Sequence, residues 1–105
     1  MKLQLVVDIQ EGFNEDTVVV RVKGNEVFRK DHVTTSLLAG PTASLIEYVE
    51  EGFIEVEVIV PTRDLRETTK FVMKTNTYLG VSLIESDVSC GKIRFIISNE
   101  PFGYL

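Results

Sequence analysis

The stretch Ile54-Glu55-Val56-Glu57-Val58-Ile59-Val60-Pro61 decides the fold. Ile54, Val56, Val58 and Val60 recur with period two, and Glu55, Glu57 and Ile59 fall between them. Successive side chains of a β-strand point to opposite faces, so four apolar residues share one side and mainly polar ones the other. Branched side chains suit a pleated surface and lose χ1 freedom in a helix. Pro61 ends the strand because it has no N–H to give to a ladder.

The same alternation continues outward. Upstream, Leu3, Leu5, Val7 and Ile9 alternate with Lys2, Gln4, Val6, Asp8 and Gln10, and Val18, Val20 and Val22 share a face away from Arg21 and Lys23. Gly24-Asn25 tolerates positive φ and marks a hairpin with its return strand from Glu26 to Lys30. Downstream, Thr69, Phe71 and Met73 oppose Thr68, Lys70, Val72 and Lys74, and Thr75-Asn76 makes a tight connection. Leu79, Val81 and Leu83 then share a face, as do Ile93, Phe95 and Ile97 beyond the loop Glu85 to Gly91.

Asp31 to Tyr48 admits two readings. Val33 to Leu38 can extend a strand and Gly40-Pro41 forces a break. Ala43 to Glu51 is then either a short helix or a strand that pairs with the Ile54 stretch across Glu50-Glu51-Gly52.

Composition agrees with strands: 15 Val, 8 Ile and 9 Thr stand against 2 Ala. The 105 residues suffice for one domain, residues 1–105, but not for two separate cores. Seven to eight short strands joined by turn signals predict an all-β protein, an antiparallel β-sandwich of immunoglobulin-like or jelly-roll kind. Helical crossovers have no room.

Charge and cysteine bound the function. A net charge of -5, with no basic run longer than Arg29-Lys30, repels phosphate backbones and anionic membrane surfaces, so neither nucleic acid nor membrane is expected as a partner. Cys90 is the one cysteine, so no intramolecular disulfide can form and a reducing compartment is expected. Polar Gln4 interrupts the first apolar stretch and Asp8 ends it, which does not make a signal peptide; the expected location is cytoplasmic.

Candidate chemistry is sparse. His32 follows Asp31, but neighbours on a strand point apart, and no Gly-x-Ser-x-Gly turn offers a nucleophile. Cys90 has only Lys92 nearby to lower its pKa. Asp8, Glu11, Glu15 and Asp16 form an acidic cluster that suits oxygen coordination of calcium, but the dense spacing of a dedicated calcium loop is missing; the bland reading is a solubilising loop. Glu55 and Glu57 are expected to meet Lys70 or Lys74 across a strand pair. Phe13, Phe53, Tyr48, Tyr78, Phe102 and Tyr104 fall at strand ends or in loops, where they either cap the core or form a binding platform.

Glu11-Gly12-Phe13, Val18 to Val22, Gly24 to Phe28, Val33-Thr34-Thr35, Pro61-Thr62-Arg63, Tyr78-Leu79-Gly80-Val81 and Glu100-Pro101-Phe102-Gly103-Tyr104 together resemble a group of short bacterial proteins of unassigned function. The resemblance implies a stand-alone all-β protein. It implies no activity and carries over no site residue.

Two functional expectations follow. The first is a non-enzymatic binding or protein-interaction module that self-associates, motivated by the apolar residues Val6, Val19, Ile59 and Ile96 on outward faces. The second is a small ligand-binding protein or enzyme in which His32 works with Asp31 or Glu26, with Tyr78, Phe102 and Tyr104 as further ligand contacts. No cofactor is expected. A homo-oligomer, another protein or a small ligand is the expected partner, and the C-terminal Pro101 to Leu105 is expected to pack.

Overall fold

The computed structural model describes residues 2–35, 42–86 and 89–103, and of residues 85, 86, 89 and 90 the backbone alone. Eight strands follow one another: β1 (Lys2–Ile9), β2 (Asp16–Val22), β3 (Asn25–Val33), β4 (Ala43–Glu50), β5 (Gly52–Val60), β6 (Leu65–Met73), β7 (Thr77–Ser86) and β8 (Ser89–Ser98). They form two four-stranded sheets, the first in the order β4-β1-β7-β8 and the second in the order β3-β2-β5-β6. Among the described residues, helix is limited to the 3₁₀ turn Pro61–Arg63 between β5 and β6. The protein is an all-β sandwich.

The core follows from the alternation. Leu5, Val7 and Ile9 of β1 and Leu79 and Val81 of β7 are fully buried, as are Val18 and Val20 of β2 and Ile54, Val56, Val58 and Val60 of β5. Removing a large aliphatic side chain from water stabilises by about 1.5–3 kcal/mol, and both inner faces supply such residues at every second position. Phe13 is buried with this cluster, in keeping with a capping role. Phe53 and Tyr48 are not caps: they are 60% and 57% exposed.

Three features differ from the sequence expectation. Ala43 to Glu50 is a strand, but β4 pairs with β1 from Lys2↔Glu50 to Ile9↔Ala43, so Glu51 carries the chain between sheets and makes no hairpin with β5. The sandwich is antiparallel with one exception, since β1 and β7 run parallel from Leu5↔Thr77 to Ile9↔Val81. A parallel pair needs a long connection, and the chain's excursions through the second sheet supply it. The β2–β3 turn lies one residue earlier than Gly24-Asn25: Lys23 and Gly24 hold φ of 51° and 82°. Both central residues of a two-residue turn with this twist need positive φ, and Asn25 already pairs with Val22.

A bulge completes the second sheet. Asp16 pairs with Val33 and Val18 with Lys30, so Asp31 and His32 together oppose Thr17, and His32 holds φ of 56°. The extra residue bends the β3 edge and re-aims its side chains.

Candidate functional site

The acidic cluster is dispersed by the fold. Asp8 lies on the outer side of β1 and accepts a 2.5 Å hydrogen bond from Ser44 Oγ. Asp16 begins β2 in the other sheet and is 2% exposed. Its carboxylate accepts from Arg63 Nε at 3.1 and 3.2 Å, from Thr62 Oγ1 at 2.7 Å and from the Asn14 N–H at 2.9 Å. Burial alone would raise the Asp16 pKa; the hydrogen bonds from Arg63, Asn14 and Thr62, with the Arg63 charge, outweigh it and hold the carboxyl below its ordinary value. Glu11 and Glu15 are exposed. Among the described residues no three His, Cys, Asp or Glu side chains gather as metal ligands would.

The segment between β1 and β2 is instead a structural clasp. The Gln10 N–H donates to Val81 O and the Leu83 N–H to Glu11 O, both at 2.8 Å, which prolongs the β1–β7 pairing. Phe13 and Thr35 exchange bonds, Phe13 N–H to Thr35 Oγ1 at 3.0 Å and Thr35 N–H to Phe13 O at 2.9 Å. Arg63 Nη2 also donates to Gly12 O at 3.3 Å. A Cβ on Gly12 would stand 2.0 Å from Leu83 O, and φ there is +92°, so only glycine fits. Sequence reading missed Arg63 and Thr62. Their signal, a charged turn after Pro61, carries no information about a partner so far away in the chain.

His32 stands in solvent with its side chain 82% exposed, and its Nδ1 lies 2.9 Å from Glu15 Oε2. Its expected partners are engaged elsewhere. Asp31 accepts from Thr17 Oγ1 at 2.9 Å, and Glu26 is paired with Arg29 at 2.9 Å, which lowers the Glu26 pKa through the Arg29 hydrogen bond and charge. Tyr78 is half-buried on β7 of the first sheet, so the fold does not unite it with His32 on β3 of the second. Phe102 is half-buried in the tail. Tyr104, Leu105, residues 36–41 and the Cys90 side chain lie outside the described residues.

The two outer faces differ sharply in chemistry. On the second sheet, Glu57 meets Arg21 at 3.8 Å and Arg66 at 3.6 Å, and Glu55 meets Lys70 at 3.8 Å. The expected Glu55–Lys70 pair is thus present, while Glu57 takes two arginines rather than a lysine. Val19, expected outward, is 2% exposed and sits in one row with Arg29, Ile59 and Arg66. Ion pairs and long stems cover this face except at one end, where Phe53 pairs with Val72 and both are 60% exposed.

On the first sheet, by contrast, the register aligns Ile46, Val6, Tyr78 and Ser98 in one row and Ser44, Asp8, Gly80 and Ile96 in the next. Tyr48 adjoins them beside Gln4. Ile46, Tyr48 and Ile96 are 54%, 57% and 39% exposed. The Lys2–Glu50 pair lies at the margin, at 3.5 Å. The result is an apolar row over three strands, Ile46, Val6 and Tyr78, flanked by Tyr48 and Ile96 and interrupted in the next row by Ser44 and Asp8.

Comparison with known proteins adds no assignment: no protein-family model matches the chain, and no curated protein matches it significantly. Among the described residues, no helix is long and apolar enough to cross a membrane.

Proposed function

We propose that this protein is a protein-interaction module that self-associates through the outer face of its first sheet. The observation that supports this reading is the contrast between the two faces: ion pairs lace one except at its Phe53–Val72 end, and Ile46, Tyr48, Val6, Tyr78 and Ile96 lie on the other beside the Ser44–Asp8 pair. A contiguous apolar patch rimmed by polar residues marks an interaction surface on a small protein. The polar margin here is Lys2 and Glu50 at one end and Arg94 at the other.

Size bears on the strength. Four strands about 4.8 Å apart and eight residues of about 3.3 Å rise give a face of about 500 Å² in projection, and side-chain relief increases the accessible area toward the roughly 800 Å² per partner of a standard interface. A dimer that forms with concentration is therefore the expected behaviour. The net charge of -5 supports a protein partner over a phosphate backbone.

The test is sedimentation velocity from micromolar to near-millimolar concentration, on the natural chain and on a variant carrying Ile46→Glu and Tyr48→Glu. Both side chains are more than half exposed, so the variant should melt as the natural chain does. The natural chain should sediment faster as concentration rises while the variant does not. A natural chain that stays monomeric throughout removes this reading.

A further inference from the structure

We propose that β8 is an acceptor edge, with which an extended acidic segment of a partner protein pairs as a fifth strand of the first sheet. An outermost strand presents a row of unpaired backbone N–H and C=O groups, and folded proteins blunt such edges with bulges or with charges turned inward. The edges here differ in where such a device falls. β3 carries the Asp31-His32 bulge. β6 places Glu67 opposite buried Val58, and β4 places Glu47 opposite buried Leu5, so each turns a carboxylate toward the core side.

On β8 the bulge lies at the start of the strand, where the register shifts between Ile84↔Lys92 and Ser86↔Ser89; from Lys92 to Ser98 the edge has neither a bulge nor an inward charge. Its inward positions are Ile93, Phe95 and Ile97, opposite Leu83, Val81 and Leu79, and its register with β7 runs unbroken from Lys92 to Ser98. Ile97 is 47% exposed although it faces inward. Beside it lies a groove of about 500 Å³ of mixed lining, with Phe71, Val72 and Ile97 on its apolar part and Lys74, Thr77 and Asn99 among its polar residues. Apolar side chains on one face of an added strand would lie against Ile97 and the apolar part of this groove.

Charge identifies the occupant. Lys92 and Arg94 alternate with the inward residues, and in the register they adjoin Ile84 and Ser82 on the other face. Among the described residues neither has an ion-pair partner. Opposite charges on adjacent strands attract and like charges repel, so a strand with acidic residues on its outward face fits, whereas a second β8 would double the positive charge with no acid to meet it. Main-chain pairing would give affinity and the alternating side chains specificity. Ile96 and Arg94 of β8 also lie on or beside the apolar face invoked for self-association, but the pairing proposed here uses the backbone edge of β8 and the inward side of the added strand.

The test uses a fluorescent peptide alternating valine and glutamate, its valine–lysine counterpart, and the glutamate peptide N-methylated at alternate amides. Fluorescence anisotropy should show saturable binding of the glutamate peptide, binding at least about tenfold weaker for the lysine peptide, and none for the methylated one. Ile97→Lys gives β8 the inward charge of the other edges and should weaken binding at least about tenfold with unchanged melting; Arg94→Glu should reverse the charge preference. Absence of saturable binding overturns the proposal, as does equal binding of the methylated peptide or indifference to Ile97→Lys. A dimer of the natural chain that Ile97→Lys abolishes but Ile46→Glu does not would put a second copy on β8 and overturn the acidic occupant.

Discussion

Arg63→Ala should destabilise this small sandwich more than any other single change to a partly exposed side chain in the β1–β2 clasp. It deletes the 3.1 and 3.2 Å contacts to Asp16 and the 3.3 Å contact to Gly12 O, and leaves a 2% exposed carboxylate with Thr62 and the Asn14 N–H. Stranding a buried charge costs about 3–5 kcal/mol; the two remaining hydrogen bonds bring the expected loss to about 2–3 kcal/mol. For a domain near this size that lowers the melting temperature by about 10–20 °C. The pH dependence has a definite sign. The Asp16 pKa is lowered by folding, so its contribution is fully present above the ordinary value of 3.8 and is lost as pH falls through the lower folded value. Urea unfolding of both chains across this range should show the full gap at neutral pH and a shrinking gap below pH 3.8. Asp16→Asn added to Arg63→Ala should recover part of the loss, because it removes the stranded charge. A neutral-pH gap under about 0.5 kcal/mol, the usual effect of a surface substitution, would refute the reasoning; so would a gap that persists undiminished in acid.

Gly12→Ala should cost about 2–4 kcal/mol by thermal melting, because its Cβ would meet Leu83 O at 2.0 Å, whereas Gly24→Ala, with open space around it, should cost only about 1 kcal/mol for its positive φ. His32→Asn should leave stability within about 0.5 kcal/mol, since the Glu15 pair is exposed and asparagine accepts the left-handed conformation; His32→Ala should cost more, and the opposite order would contradict the backbone argument. Ile54→Ala, at a fully buried site, should lose about 2–5 kcal/mol in urea unfolding.

The strands were legible wherever one face was buried and the other wet. Ile54 to Val60 and Leu3 to Ile9 alternate because each lies in the middle of its sheet, with neighbours on both sides and the core on one face. The clasp was not legible, because Asp16 and Arg63 lie 47 residues apart and meet only through the packing of the second sheet. Asp8 and Asp16 looked like neighbours in sequence, yet Asp8 lies near the end of β1 and Asp16 begins β2 in the other sheet, and this separates the carboxylates that a calcium site would need to bring together. His32 illustrates the same limit on a smaller scale. Asp31 and His32 take different partners, Thr17 and Glu15, but they sit together in the bulge, where regular alternation does not hold, and that register shift is announced by no local pattern.

Ala43 to Glu51 resisted assignment for a reason that bears on function. An edge strand over a core should read apolar, polar, apolar, polar, and β4 departs from this at three positions: Glu47 occupies an inward place opposite Leu5, while Ile46 and Tyr48 occupy outward places. Each departure has its own physical consequence. The inward Glu47 would strand a charge beneath any strand added to β4, which protects that edge from pairing. The outward Ile46 and Tyr48 would be unfavourable on a solvated face, and they continue the apolar row through Val6 and Tyr78. Apolar residues at these outward places add nothing to the core, and their continuity with Val6 and Tyr78 is what supports the proposed contact surface. Repairing the pattern with Ile46→Thr and Tyr48→Thr should therefore make β4 a more regular strand and a weaker partner, separating the demands of folding from those of association.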